Sequence, residues 1–206
     1  MELQNSFIVP ADIDTAWKTL LDVESIAPCM PGATLTSFTG EEFTASVKVK
    51  LGPVTQNFNG EGKFTKRDEA SHTAVIEASG KEIRGGGSAS ALITAVLVSE
   101  GPNSTRADVT TELTITGKVA QFGKGVITDV SKKLIDQFAN NLQAVIASRS
   151  AAESAAPGEV VAAPVIQTAD SIDLLGSAGA PVLKRLVPVV IGLVIVVGVV
   201  WWLIAR

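Results

Sequence analysis

The stretch GKEIRGGGSASALITAV, residues 80–96, has the alternation of a β-strand, but one of its two faces carries almost nothing to bury. Successive side chains of a strand point to opposite sides of the sheet, so every second residue shares a face. An inward face normally carries large apolar side chains, because burying them stabilises the fold. The stretch therefore predicts a core strand with unfilled space beside it. The face in question consists of Gly85, Gly87, Ala89, Ala91, Ile93, Ala95 and Leu97.

A second predicted strand, VTQNFNGEGKF over residues 54–64, adds two glycines to the same interior. Its inward set is Phe58, Gly60, Gly62 and Phe64, which alternate with polar residues. Small residues on an inner face permit sharp sheet curvature or a close approach of helix to sheet. Alternatively, the missing side chains leave room for a ligand. The number of small positions favours a cavity, with some of them also serving curvature.

Residues 1–149 predict one α+β domain, in which a strand and short helices precede six strands and a long helix. Short turn signals between consecutive strands indicate an antiparallel meander. Residues 118–148 repeat apolar side chains at helical spacing, which indicates a long amphipathic helix. A helix with one apolar stripe packs on one face of a sheet, and the sheet must curve to cover it.

The C-terminal residues 184–206 predict a transmembrane anchor. The run from Leu186 to Ala205 is 20 residues long, carries no charge and holds 14 Leu, Ile or Val residues. At ~1.5 Å per residue this helix is about 30 Å long, the thickness of a bilayer's hydrocarbon core. Residues 150–183, rich in Ala, Pro, Ser and Gly, predict a flexible linker. Lys184 and Arg185 favour a single C-terminal span in the cell membrane with the domain on the cytoplasmic side.

Charge and reactive residues argue against several classes of function. The formal net charge is −4, and a mildly acidic domain offers no basic footprint for nucleic acid. A single cysteine and a single histidine argue against a disulfide framework and against a His/Cys metal site. No catalytic group is indicated by residue spacing. We therefore expect a protein that is not an enzyme and that holds no metal.

Three segments within residues 1–147 resemble the family of the CoxG subunit of carbon monoxide dehydrogenase, which belongs to the START-like (SRPBCC) superfamily. They are APCMPGATL at residues 27–35, VKVKLGPVTQNFNGEGKF at 47–64 and GKVAQFGKGVITDVSKKLIDQFANNL at 117–142. The resemblance implies a helix-grip (START/Bet v1-like) fold, in which a curved antiparallel sheet grips a long C-terminal helix around an apolar cavity. It also implies association with a molybdenum CO dehydrogenase at the membrane.

These observations lead to the hypothesis of a membrane-anchored carrier that binds a respiratory quinone of the menaquinone type. Its expected partners are the molybdenum CO dehydrogenase, membrane lipid and the quinone, and it needs no covalent cofactor. The alternative is an adaptor that recruits the dehydrogenase to the membrane without carrying a ligand. The residues expected to bind the ligand are Val47, Val49, Phe58, Gly60, Gly62, Phe64, Ala91, Ile93, Val109, Phe122, Val126 and Val130.

Overall fold

The computed structural model of this chain describes residues 1–51 and 54–154. Short 3-10 turns over Ala27–Cys29 and Val119–Phe122 precede the second strand and the last helix. The elements are β1 (Glu2–Val9), α1 (Ile13–Leu21), α2 (Val23–Ile26), β2 (Ala33–Phe38), β3 (Glu42–Leu51), β4 (Val54–Asp68), β5 (Thr73–Glu82), β6 (Ser88–Gly101), β7 (Ser104–Ile115) and α3 (Gly123–Ser154).

The seven strands form one antiparallel sheet in the order β1-β7-β6-β5-β4-β3-β2. Strands β2 to β7 follow one another as a meander, and β1 closes the far side by pairing with β7 from Glu2↔Glu112 to Val9↔Thr105. Irregularities in the register interrupt three of the pairings, and such bulges bend a sheet and increase its twist. The α+β class, the curved antiparallel sheet and the long final helix are confirmed.

Two short helices connect β1 to β2 and cover one end of the sheet. The Asp12 carboxylate accepts a hydrogen bond from the Thr15 amide at 3.0 Å and thereby caps the start of α1. Asp22 caps α2 in the same way through the Ser25 amide. Trp17 of α1 is buried in the core, so the Asp12 cap stabilises the helix whose indole packs at this end of the sheet.

The hydrophobic core is close-packed around the C-terminal part of α3. Phe138 meets Phe7 of β1 edge to face, with ring centroids 5.5 Å apart. Leu142 is only 1 % exposed. The Asn141 amide donates to the Cys29 carbonyl at 3.0 Å and ties the helix to the turn before β2. We call this region the close-packed half; it contains Val9, Ala16, Trp17, Cys29, Phe64, Leu97, Ala107, Phe138, Leu142, Val145 and Ile146 among its buried members.

The expectation of one strand over residues 80–96 is wrong. Strand β5 ends at Glu82, a loop follows, and β6 begins at Ser88. Gly85 and Gly87 lie in that loop at φ of 75° and 142°, backbone conformations that side chains rarely permit. A Cβ on Gly87 would also overlap the Thr116 carbonyl. Gly85 and Gly87 therefore serve a tight turn, and of the face expected from Gly85 to Leu97 only the residues from Ala89 onward belong to the inner face of the sheet.

Much of the expected linker and all of the expected anchor lie outside the described residues. Helix α3 continues to Ser154, five residues past the expected domain boundary at residue 149. Across residues 1–51 and 54–154, none of the helices combines the length and the apolarity that crossing a bilayer requires.

Candidate functional site

An apolar cavity of about 400 Å³ lies between the inner face of the sheet and the first half of α3. The sheet contributes residues from β1 and from β3 to β7, and the helical side contributes one turn before α3 and the first four turns of α3 itself. The lining consists of Leu3, Met30, Val47, Val49, Phe58, Gly60, Ala78, Ser79, Gly80, Ala89, Ser90, Ala91, Thr111, Leu113, Ile115, Val119, Phe122, Val126, Ile127, Val130, Ser131, Leu134 and Ile135.

The sheet side of the cavity is empty because small residues meet in register across neighbouring strands. Gly60 of β4 pairs with Gly80 of β5, and Gly80 pairs with Ala89 of β6. In the next row Ala78 pairs with Ala91. Residues opposite one another project from the same face, so this band withholds side-chain volume at one place on the sheet. The band forms the floor of the cavity.

Strand packing requires glycine at position 60, in addition to the place of this residue in the cavity floor. A Cβ at this position would overlap the Ser79 carbonyl oxygen of the neighbouring strand. Glycine therefore permits β4 and β5 to approach closely where the sheet curves. Both explanations offered for the glycines apply at this single residue.

The helical wall is formed by apolar residues that recur every three or four positions. Val119, Phe122, Val130 and Leu134 are partly buried and belong to a cluster that is separate from the close-packed half. Residues at this spacing share one face of a helix. They face the band of small residues, so α3 packs tightly at its C-terminal part and leaves space at its N-terminal part. We call the region around Val119–Leu134 the cavity half.

The start of the helical wall is held against the β5–β6 loop by backbone contacts. The Lys118 amide donates to the Gly86 carbonyl at 3.0 Å, and the Thr116 amide donates to the Ser88 carbonyl at 2.8 Å. A Cβ on Gly117 would overlap the Gly86 carbonyl. These contacts determine where the helical wall begins relative to β6.

The buried carboxylate of Glu82 stabilises the same loop through hydrogen bonds. Glu82 is 6 % exposed and accepts hydrogen bonds from the amides of Arg84 and Gly86, each at 2.8 Å. The Gly86 amide, more than any other neighbour, holds the pKa of Glu82 below its ordinary value, because the bond favours the charged form. Gln56 of β4, 7 % exposed, is buried beside Gly86, close to the Glu82 carboxylate.

The cavity opens to solvent at the N-terminal end of α3. Val126 lines the cavity and is nevertheless 41 % exposed. Its side chain therefore lies at the boundary between the apolar interior and water. An apolar ligand would enter and leave beside this residue.

The chemistry of the lining suits an apolar ligand. Among the described residues, no ionisable side chain lines the cavity, and the polar groups are a few hydroxyls. The Ser131 hydroxyl accepts a hydrogen bond from the Asn5 amide group at 2.9 Å, which ties α3 to β1 beside the cavity. The described part of the chain holds no group of three or more His, Cys, Asp or Glu residues placed to bind a metal.

Eight of the twelve residues expected to bind a ligand line this cavity, and four do not. The cavity brings together Val47, Val49, Phe58, Gly60, Ala91, Phe122, Val126 and Val130.

The four others lie on the inner face but outside the cavity. The space above Gly62 is occupied by the ring of Phe43, its partner on β3, which would overlap any Cβ there. Phe64 is part of the close-packed half and packs against Phe43. Val109 also packs against the close-packed half, and Ile93 faces Ile76 of β5 beyond the band of small residues. Each lies on its strand beyond the band of small residues, where larger side chains fill the inner face.

Several lining residues were not anticipated from the sequence. Ala78 and Gly80 belong to the floor because β5 pairs with both β4 and β6 in this register. Met30 reaches the cavity from the turn before β2. Val119 and Leu134 belong to the same apolar repeat that predicts α3, so this repeat could have identified both as lining residues.

A curved antiparallel sheet that holds a long C-terminal helix over an apolar cavity defines the START-like, helix-grip class of proteins. Within that class, the chain belongs to the family of the CoxG subunit of carbon monoxide dehydrogenase, whose family model matches residues 6–147. The resemblance noted in the sequence is thereby confirmed. No curated protein sequence matches this chain.

Solved structures share the fold at low sequence identity. A conserved protein from Geobacillus kaustophilus is 19 % identical with a TM-score of 0.63, covering 75 % of this chain and 97 % of its own. A START superfamily protein from Mycobacterium smegmatis is 13 % identical with a TM-score of 0.50, covering 69 % and 94 %. Truncated norcoclaurine synthase from Thalictrum flavum is 15 % identical with a TM-score of 0.50, covering 71 % and 92 %. Since the last is named as an enzyme, the fold alone does not decide whether this chain catalyses a reaction.

Proposed function

We propose that this protein carries a respiratory quinone of the menaquinone type between the membrane and a molybdenum CO dehydrogenase. The CoxG family and the START-like fold support the broader role, which is binding of a hydrophobic ligand in connection with CO dehydrogenase. The observation that carries the proposal is the 400 Å³ apolar cavity with its opening at Val126. The protein itself supplies no redox chemistry in this proposal and is not an enzyme.

The chemistry of the partner explains why a lipid carrier is needed. Oxidation of CO with water to CO₂ releases two electrons and two protons, and reduction of a quinone to a quinol takes up the same number of each. Moving an isoprenoid chain through water costs ~0.8 kcal/mol for each exposed CH₂. A protein cavity with an apolar lining removes that cost during transfer.

The size of the cavity sets what it encloses. Ligand sites range from ~300 to ~1,000 Å³, so this cavity lies toward the small end. We propose that the ring and the first isoprene units occupy the cavity, and that the remaining chain leaves beside Val126. The ring would then lie toward the band of small residues.

The test is to purify the full chain from a menaquinone-producing host, extract it with organic solvent and analyse the extract by mass spectrometry. The carrier proposal expects a bound quinone in the wild type and its loss from Ala91→Trp, because the indole fills the cavity floor. Leu92→Trp is the matched control, since its side chain projects from the opposite face of β6. A wild-type extract without quinone, together with no binding of added menaquinone, would refute the proposal.

The outer face of the sheet favours the adaptor as a second candidate. A groove of about 1,040 Å³ crosses this face, and five of its lining residues are glutamates. An adaptor would use such a surface to hold the dehydrogenase and would not need the cavity. Ala91→Trp separates the two candidates, because an adaptor keeps electron transfer to the membrane intact and a carrier loses it. The glutamates are Glu2, Glu42, Glu61, Glu77 and Glu112.

A further inference from the structure

The rim of the cavity opening carries an unusual concentration of positive charge. Two segments lie beside this end of the cavity. Residues 116–126 contribute Val119, Phe122 and Val126 to the lining, and residues 81–88 form the loop between the lining residues Gly80 and Ala89. The segments are joined by the backbone contact between Gly86 and Lys118. We call these two segments the basic rim. They contain four exposed cations and a single acidic residue, Glu82, which is buried and bonded to the loop amides. The cations are Lys81, Arg84, Lys118 and Lys124.

None of the four cations of the basic rim forms a salt bridge with a carboxylate of the described residues. Cations elsewhere in the described chain do pair, as Lys63 does with Glu42 at 2.9 Å and Lys132 does with Asp136 at 3.0 Å. Arg84 does act on the Glu82 carboxylate and helps to lower its pKa, but this single acid leaves an excess of three positive charges in the two segments. Like charges in excess repel one another and attract an anionic partner. The rim is therefore electrostatically complementary to a negatively charged surface.

An apolar side chain projects from the middle of this charged surface. Ile83 is 55 % exposed, the highest value among the large exposed hydrophobic residues of the described chain. It lies between Lys81 and Arg84, in the loop that contacts the start of the helical wall. Basic residues around an exposed apolar side chain are the combination that binds a membrane interface, where the charges meet lipid phosphates and the apolar group enters the acyl boundary.

We infer that the basic rim docks on an anionic lipid bilayer and places the cavity opening against the membrane. The inference rests on the proposed carrier function, because docking in this orientation gives the ligand a path beside Val126 that avoids water. Val126 belongs to the rim and also lines the cavity, so the docking surface and the opening coincide.

The experiment uses the full chain with Ile83→Cys, labelled with an environment-sensitive fluorophore. Cys29 is fully buried, so labelling is selective for position 83. The protein is reconstituted in vesicles of phosphatidylcholine alone and of phosphatidylcholine with phosphatidylglycerol. Any anchoring by the C-terminal residues is common to both, so the difference reports docking of the domain. A label at Glu69→Cys, in the turn at the opposite end of β5, is the positional control.

We expect the fluorescence emission of the label at position 83 to shift to the blue when the vesicles contain phosphatidylglycerol, and added salt should reverse that shift. Vesicles of phosphatidylcholine alone should leave the emission unchanged. The triple variant Lys81→Glu, Arg84→Glu, Lys118→Glu is expected to dock at least about tenfold more weakly. A control triple variant with the same net charge, Lys18→Glu, Lys66→Glu, Lys132→Glu, is expected to behave as the wild type.

A label at position 83 that responds equally to both vesicles would overturn the inference. Menaquinone binding, measured by mass spectrometry on the same preparations, separates this outcome from failure of the carrier proposal. A protein that binds menaquinone but does not dock refutes the docking surface alone. A protein that docks but binds no menaquinone refutes the carrier role alone.

Discussion

Helix α3 offers two leucines that test the cavity energetically, because they lie on one helix in different surroundings. Leu142 is 1 % exposed within the close-packed half, and Leu134 lines the cavity. Truncating a fully buried leucine to alanine costs about 2–5 kcal/mol, since the lost transfer energy is joined by the cost of a new void. At Leu134 the void already exists and the side chain is partly exposed. The remaining cost there is about 1 kcal/mol, from the partial burial of a few methylene-sized groups.

The assay is urea unfolding of the full chain followed by circular dichroism, with and without menaquinone. The free energy of unfolding is obtained from the midpoint and the slope of the transition. A ligand at one hundred times its dissociation constant adds about 2.7 kcal/mol to that free energy. We expect this gain to persist in Leu142→Ala, which leaves the cavity intact, and to shrink in Leu134→Ala, which removes part of its wall.

Equal losses of stability in the two variants would refute the division of α3 into a close-packed half and a cavity half. So would a larger loss in Leu134→Ala than in Leu142→Ala. In either case the space beside the helix would be filled in solution, and the carrier proposal would lose its physical basis.

Two further predictions concern the turns. Gly32→Ala should lower the free energy of unfolding by about 2 kcal/mol or more, because Gly32 has φ of 75° and a Cβ there would overlap the Lys48 carbonyl. The control is Gly40→Ala, at φ of 93° with no atom within 4 Å, which should lose only about 1 kcal/mol. Thermal unfolding of both variants measures the difference. The depressed pKa of Glu82 predicts that its stabilising contribution is complete above its ordinary value of 4.5 and is lost as pH falls through the lower folded pKa. Stability measured against pH should therefore fall less steeply on acidification in Glu82→Gln, and an unchanged acid limb would contradict the assignment.

The sequence predicts which face of the sheet each strand residue occupies, but it does not predict where along the strands the cavity lies. Alternation in β3 and β4 correctly placed Val47, Val49, Phe58 and Gly60 on the inner face, and all four line the cavity. Ile93 and Val109 share that face but lie beyond the band of small residues. What separates the two groups is the filling of the inner face by other side chains, Ile76 opposite Ile93 and the close-packed half beside Val109, and these partners are distant in sequence.

The roles of the glycines were the hardest to predict, because the structure requires glycine for a different reason at each position. Gly62 makes room for the Phe43 ring, Gly87 adopts a turn against Thr116, and Gly60 permits strand contact beneath the cavity. Each explanation requires the cross-strand partner to be known. Sequence pattern alone treats these three positions as equivalent, and so the strand expected over residues 80–96 included a loop.

The separation of α3 into two parts has a consequence for how this family can change over evolution. Residues that maintain the fold, such as Leu142, are distinct from residues that shape the chamber, such as Ala91 and Leu134. Substitutions that resize the chamber therefore draw little on the small margin of stability that most proteins possess. Members of the family can thus change which apolar ligand they bind by successive substitutions in the chamber lining, while the packing that maintains the fold is preserved.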